Sequence, residues 1–250
     1  MTDLIRLSLP TKFTVFLDKI SDETKTVIKG VYDSSQIQEL ANHTENNPWH
    51  DYENCLEHVE HVFANIQELL RLDFVKDASI QSSYKRYLSQ LIDPEGTFSR
   101  LELLLIACSL HDISKGQVRP ETDQIAPGDY YLITNDDGTT RGSGHEHASS
   151  LIVPELLYDS GLTNKELQHV VNLVDMHDTF SKGFYTENLS SLDSPDPESD
   201  ARRCVKEAPE YALELMLHII ADEYGAAVTQ DYRQYLLNEV VARYDLTHHE

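Results

Sequence analysis

Apolar residues recur every three or four positions along most of this chain, which is the spacing of amphipathic helices. The longest such pattern predicts a helix from about Tyr52 to Leu72, after a break at Pro48. Two shorter patterns precede it within residues 11–45, the second of them behind a serine cap at Ser34. Further helices are predicted at about 80–92, at 98–110, and at 145–160, 164–176, 200–226 and 230–244.

Two stretches depart from helical spacing. Residues 116–144 contain several glycines and prolines, and an Asp137-Gly138 turn lies between two short strand-like runs, which predicts an inserted β-hairpin. Residues 181–200 are rich in Ser, Asp and Pro, which predicts a mobile surface loop. No shift in composition marks a second domain. The predicted fold is therefore a single all-α domain over residues 1–250 with a small β-hairpin.

The most apolar stretch, residues 103–110, ends in polar residues. It is followed at once by His111 and Asp112, and then by Lys115. Burying a polar group without a partner costs roughly 2–7 kcal/mol, so a histidine and a carboxylate at the end of a core helix need one. A divalent metal satisfies both side chains. The alternative is a His-Asp pair that only caps the helix.

Composition narrows the class of protein. The chain has 250 residues and a formal net charge of −23, which argues against a surface that coats nucleic acid but allows a small anionic substrate. Three scattered cysteines predict a reducing compartment and no disulfide framework. The sequence shows neither a signal-peptide pattern nor an apolar run long enough to span a membrane, which predicts a cytoplasmic protein without membrane contact. The oligomeric state is left open.

Six residues that can bind a metal lie within or at the edges of apolar stretches on five predicted helices. They are His58, His111, Asp112, His145, His177 and Asp222. Each alone is readily explained as a core or capping residue. Together, four histidines and two aspartates can supply two metal ions with a carboxylate shared between them.

The order H…HD…H…H…D resembles the HD-domain superfamily of metal-dependent phosphohydrolases. His111-Asp112-Ile113-Ser114-Lys115 matches the defining HD-x-x-K motif, with Ser114 where glycine is more usual. Gly144-His145-Glu146 and Ala221-Asp222 are similar to further motifs of the superfamily. The resemblance covers about residues 47–226 and implies an HD-type helical bundle.

The resemblance also implies roles for these residues. A first ion would be held by His58, His111, Asp112 and Asp222, and Asp112 would bridge to a second ion held by His145 and His177. The two divalent ions would be Mn, Fe, Co, Ni, Zn or Mg, and hydroxide formed from the water they activate would attack phosphorus. The implied substrate is a small, anionic, phosphorylated molecule, most simply a nucleotide-like phosphomonoester or phosphodiester.

Two cations are candidates for binding the substrate phosphate. In members of the superfamily the lysine of the HD-x-x-K motif, here Lys115, often touches phosphate. Arg141 lies four residues before His145 and is a candidate phosphate clamp. The alternatives are a lysine that offsets a helix dipole and an exposed arginine of the hairpin.

Other readings of the same residues remain open. HD-type mixed-valence di-iron oxygenases, which act on a polyol or a phosphonate, carry the same six ligands; hydrolysis is favoured because the Gly144-His145-Glu146 motif resembles hydrolytic members. A non-catalytic sensor is disfavoured, because folding does not require all six residues.

His61, one turn from His58, competes for its role, and His50 is a candidate for the mouth of the pocket. The remaining histidines, His218 among them, lack a supporting motif.

Overall fold

Helices make up most of the protein that this computed structural model describes, namely residues 20–44, 54–70, 78–92, 96–116, 131–134, 140–179 and 203–225. The longer helices are α1 (Asp22–Tyr32), α2 (Ser35–Glu39), α3 (Cys55–Leu69), α4 (Ala78–Ile92), α5 (Arg100–Cys108), α6 (His145–Leu156), α7 (Asn164–Met176) and α8 (Ala212–Gly225). Leu40–Asn42 and Ile113–Gly116 form 3-10 turns, and residues 203–207 are helical. The predicted all-α class is confirmed.

The predicted insert at 116–144 is described only in part. Strand β1 (Tyr131–Thr134) pairs antiparallel with β2 (Thr140–Ser143), so that Ile133 lies opposite Arg141. The residues between the strands, and residues 117–130, lie outside the described part of the chain, so the insert is not supported beyond this short ladder. The predicted loop at 181–200, the helix at 230–244 and the first pattern before residue 20 also lie outside it.

Local sequence signals explain where the helices begin and end. Thr163 and Glu166 form a capping box that starts α7, and α7 has the bounds predicted for it. The predicted helix at 200–226 is wrong as a single element, because the chain turns at residues 208–211 before α8 begins. Pro209 explains the interruption, since proline has no amide hydrogen for a helix interior.

Helix α5 is the centre of the core. Every residue from Leu101 to Cys108 is buried, and α5 packs against α1, α3, α4, α7 and α8. Around it, α3 packs most extensively on α8, and α6 packs on α7. Because α5 is enclosed on all sides, the residues that follow it are also inside the protein, and His111 is fully buried.

One carboxylate fixes the start of α5. Ser99 and Glu102 form a capping box, in which the Ser99 amide donates to Glu102 Oε2 over 2.8 Å. The other oxygen, Oε1, accepts hydrogen bonds from the amide of Ser21 at 2.7 Å and from the hydroxyl of Thr24 at 2.9 Å. Glu102 therefore joins α1 to α5, and these hydrogen bonds lower its pKa although burial opposes ionisation.

We expect Glu102→Gln to lower the free energy of unfolding by about 1.5–3 kcal/mol, the range for a hydrogen bond to a charged group. The substitution replaces one acceptor oxygen with an amide donor that faces other donors. Urea unfolding followed by circular dichroism measures the effect. Glu57→Gln is the matched control, because Glu57 forms a similar box with Asn54 at the exposed start of α3. Equal losses in the two variants would contradict the role given to Glu102.

Candidate metal centre

The structure brings the six predicted residues to one place. His58 is on α3, His111 and Asp112 lie in the turn after α5, His145 is the first residue of α6, His177 directly follows α7, and Asp222 is on α8. His58 Nε2 lies 2.8 Å from Asp222 Oδ1, and His145 Nε2 lies 3.1 Å from His177 Nε2. Five separate segments therefore meet at this cluster.

Asp112 lies in the middle of the cluster. Its Oδ2 is 3.4 Å from His111 Nε2 and 3.7 Å from His58 Nε2, and its Oδ1 is 3.3 Å from His145 Nε2. We call His58, His111 and Asp112 the first triad, and Asp112, His145 and His177 the second triad. Within each triad the candidate ligand atoms all lie within 4.8 Å of one another. One carboxylate therefore belongs to both triads, with one oxygen facing each.

Backbone carbonyls fix the orientation of two imidazoles. Nδ1 of His111 lies 2.9 Å from the carbonyl oxygen of Cys108, and Nδ1 of His177 lies 2.7 Å from that of Val174. A carbonyl oxygen can only accept, so in both rings Nδ1 carries the hydrogen. Nε2 is then left with a lone pair directed at the cluster, which is the arrangement found in metal-binding histidines.

Among the buried polar atoms without a hydrogen-bond partner in the described residues are two candidate ligand atoms at the centre. They are His111 Nε2 and Asp112 Oδ1, and both are shielded from solvent. A buried polar atom without a partner is destabilising by about 1–3 kcal/mol, and a cation would satisfy both atoms. The donor set of imidazole nitrogens and carboxylate oxygens suits divalent transition metals. The buried cluster is therefore compatible with metal binding.

The protonation states also favour a cation. Burial lowers the pKa of His111 to about 4 and that of His218 well below its ordinary value, so both rings are neutral at pH 7. Burial opposes the ionisation of Asp112, but the Lys115 ammonium, 2.9 Å from Oδ2, holds the pKa of that carboxyl well below its usual range. Neutral imidazoles and ionised carboxylates are the forms that bind divalent ions.

The structure distinguishes the other candidates named from the sequence. Lys115 is buried with its ammonium beside the cluster, whereas the side chain of Arg141 lies outside the described residues. His61 is exposed on α3, so His58 is the histidine of that helix that reaches the cluster. His50 lies outside the described residues.

Ser114 stands where the HD-x-x-K motif more often has glycine, and it connects the turn after α5 to α6. Its hydroxyl donates to the carbonyl of His145 at 3.0 Å, and its amide donates to the hydroxyl of Ser149 at 3.2 Å. These bonds tie the segment that carries Asp112 to the first turn of α6, so Asp112 and His145, two of the three members of the second triad, are held in fixed relation.

Sequence reasoning missed His218. This side chain is fully buried on α8, and its ring centroid lies 5.2 Å from that of His111 and 5.3 Å from that of His177. The signal was present in the sequence, because His218 precedes Asp222 by four residues and therefore lies on the same face of the helix.

Within the described ranges, no helix has the length and apolar character needed to cross a membrane. A scan against protein-family models finds no match to the chain, and a search of curated proteins finds no similar sequence. The resemblance to the HD domain therefore depends on the motifs of this sequence and on the cluster that they form.

Proposed function

We propose that this protein is a metal-dependent phosphohydrolase of the HD type that uses two divalent ions. The observation that carries the proposal is the position of Asp112, which presents one oxygen to each triad. A carboxylate between two groups of imidazoles is a suitable bridge between two ions. Asp222 would complete the first site, since it lies 2.8 Å from His58.

The chemistry divides between the ions and the protein. When bound, paired divalent ions lower the pKa of water and neutralise phosphoryl oxygens. The protein holds the ligand atoms in place through the carbonyl oxygens of Cys108 and Val174, as described above. Lys115 keeps Asp112 ionised and sets a positive charge at the edge of the centre, where it would bind a phosphoryl oxygen.

A small phosphate ester is the proposed substrate class. The chain has a net charge of −23, so an anion is attracted only where positive charge is concentrated locally. Lys115 and the proposed ions provide that charge at the cluster. Arg141 is the second cation proposed to bind the substrate, because β2 leads directly through Gly144 to His145.

We expect Arg141→Ala to lower kcat/KM for a phosphorylated substrate by an amount equivalent to about 1.5–3 kcal/mol, as for a hydrogen bond to a charged group. Metal content should not change, because Arg141 is not among the proposed ligands. Steady-state kinetics and metal analysis measure the two effects. The matched control is Arg86→Ala, which removes an exposed arginine from α4. Kinetics equal to those of the control would remove Arg141 from the site.

The proposed activity is tested on protein purified without added metal. The metal content is measured first, and the metal-free protein is then assayed with phosphomonoesters and cyclic phosphodiesters in Mn, Co, Ni or Mg. Release of phosphate, or opening of a cyclic diester, that depends on metal supports the proposal.

A second set of assays covers the competing enzyme class. The protein loaded with iron is given a polyol and a phosphonate in air, and oxygen uptake is followed. Oxygen consumption without any hydrolytic activity would replace the proposal with a di-iron oxygenase. A protein that binds no divalent ion would refute both functions.

A further inference from the structure

His218 is a buried polar side chain that the six-residue set does not use. It is fully buried, and neither of its ring nitrogens makes a hydrogen bond with any residue that the structure describes. Each unsatisfied buried polar group destabilises the folded state. A leucine or phenylalanine would fill the same space without this penalty, so packing alone does not explain a histidine here.

The ring of His218 contacts one member of each triad. It stacks on His177 with 5.3 Å between centroids and an interplanar angle of 23°, and it meets His111 edge to face at 5.2 Å and 79°. These separations match those between the candidate ligands themselves, which are 5.1 Å for His111 and His177 and 5.6 Å for His58 and His111. His218 is therefore part of the same cluster of imidazoles.

His218 contacts the candidate ligands only through its ring, and neither of its nitrogens is hydrogen-bonded to a described residue, whereas Asp222 is hydrogen-bonded to His58; His218 therefore lies beside the ligands rather than among them. We propose that His218 is a positioning residue of the metal centre, an inference that rests on the proposed function. Its ring packs on His111 and His177 and supports the orientations that the backbone carbonyls of Cys108 and Val174 give them, and its nitrogens supply a polar group beside the ligands. Groups that orient metal ligands in this way typically change metal affinity 10–100-fold when removed.

Four variants separate polar positioning from packing. His218→Phe and His218→Leu remove the nitrogens but keep a bulky apolar side chain, whereas His218→Asn and His218→Gln keep a donor and an acceptor. Calorimetric titration with Mn²⁺ gives the affinity, and the visible spectrum of the Co²⁺-loaded protein reports ligand geometry. We expect the Phe and Leu variants to bind Mn²⁺ about 10–100-fold more weakly and to alter the Co²⁺ spectrum. We expect His218→Asn or His218→Gln to bind Mn²⁺ within a few-fold of the unchanged protein.

Ile219→Val is the control, because it trims a buried neighbour on the same helix that points away from the direction of His218. Circular dichroism and thermal unfolding of the metal-free variants identify any that fail to fold. The inference would be overturned if His218→Phe had the same Mn²⁺ affinity and Co²⁺ spectrum as the unchanged protein. It would also be overturned if His218→Asn and His218→Gln folded but bound Mn²⁺ as weakly as His218→Phe. Failure of the unchanged protein to bind Mn²⁺ or Co²⁺ would instead overturn the metal centre itself.

Discussion

Asp112→Asn is expected to reduce the proposed hydrolytic activity by at least about 100-fold, because removing even the groups that support metal ligands costs 10–100-fold. The amide has nearly the shape of the carboxylate but lacks its charge, and one of its two atoms becomes a donor. It therefore cannot bridge the triads, in which the imidazoles of His58, His111 and His145 lie 3.3–3.7 Å from the carboxylate oxygens. Turnover on the best substrate and metal content by elemental analysis should fall together.

Asp175→Asn is the matched control for this variant. Asp175 lies two residues before His177, but its side chain is 41% exposed and pairs with His147. We expect that control to keep both metal and activity. Circular dichroism must show that the Asp112 variant remains helical, because Lys115 loses its charged partner inside the protein. A folded Asp112→Asn protein with unchanged turnover would rule out the bridging role.

Arg100→Met is expected to have the largest effect on stability. Arg100 forms two hydrogen bonds of 2.6 Å with the fully buried carboxylate of Glu214, and it joins the start of α5 to α8. Removing one partner of a buried ion pair costs about 3–5 kcal/mol. Because the arginine side chain is 24% exposed, we expect the free energy of unfolding to fall by an amount near the lower end of that range, about 3 kcal/mol. Urea unfolding measures this loss.

The effect of Arg100→Met should also depend on pH. Burial opposes ionisation of Glu214, but His169 Nε2, 3.3 Å from Oε1, and the hydrogen bonds from Arg100 lower the pKa of Glu214 below the ordinary value of a glutamate. A lowered carboxyl pKa stabilises the fold above the pKa of the unfolded chain, about 4.3, and this contribution is lost as the pH falls through the lower folded value. The difference in the free energy of unfolding between the unchanged protein and the variant should therefore be largest at pH 7 and become smaller below about pH 4.

Lys25→Met is the control for Arg100→Met, because it shows whether losing an exposed ion pair also lowers the free energy of unfolding. Lys25 pairs with Asp22 at 2.8 Å, but both side chains are well exposed on α1. Exposed pairs contribute about 0–1 kcal/mol, so this variant should unfold almost as the unchanged protein does at every pH. A loss in Arg100→Met no greater than that of Lys25→Met would show that the buried pair does not stabilise the fold.

Local patterns predicted some elements well and others badly, for identifiable reasons. The start of α7 was predictable because Thr163 and Glu166 form a capping box in adjacent sequence. Helix α1 was missed because its buried face includes Thr24, a polar residue whose burial depends on Glu102, 78 residues away. The break before α8 was missed because the apolar pattern was followed through Pro209.

In the candidate site, too, some residues were predictable from the sequence and others were not. His111 and Asp112 were found because they follow the most apolar run of the chain. His218 was passed over because no motif contains it, and its importance comes from the ring of His177, which follows α7, and the ring of His111, in the turn after α5. Sequence spacing places a residue on one face of a helix, but packing between helices decides which faces meet.

The pairing of α3 with α8 has a consequence for the order in which the protein folds. His58 and Asp222 are hydrogen-bonded partners separated by 164 residues, whereas α6 and α7 are joined by a short turn and pack on each other directly. Contacts between distant segments form slowly because a long loop must close first. During synthesis the α6–α7 pair can form as soon as it leaves the ribosome, while α3 must wait for α8. Asp222, which is proposed to complete the site of the first triad, would therefore reach that triad in the last steps of folding.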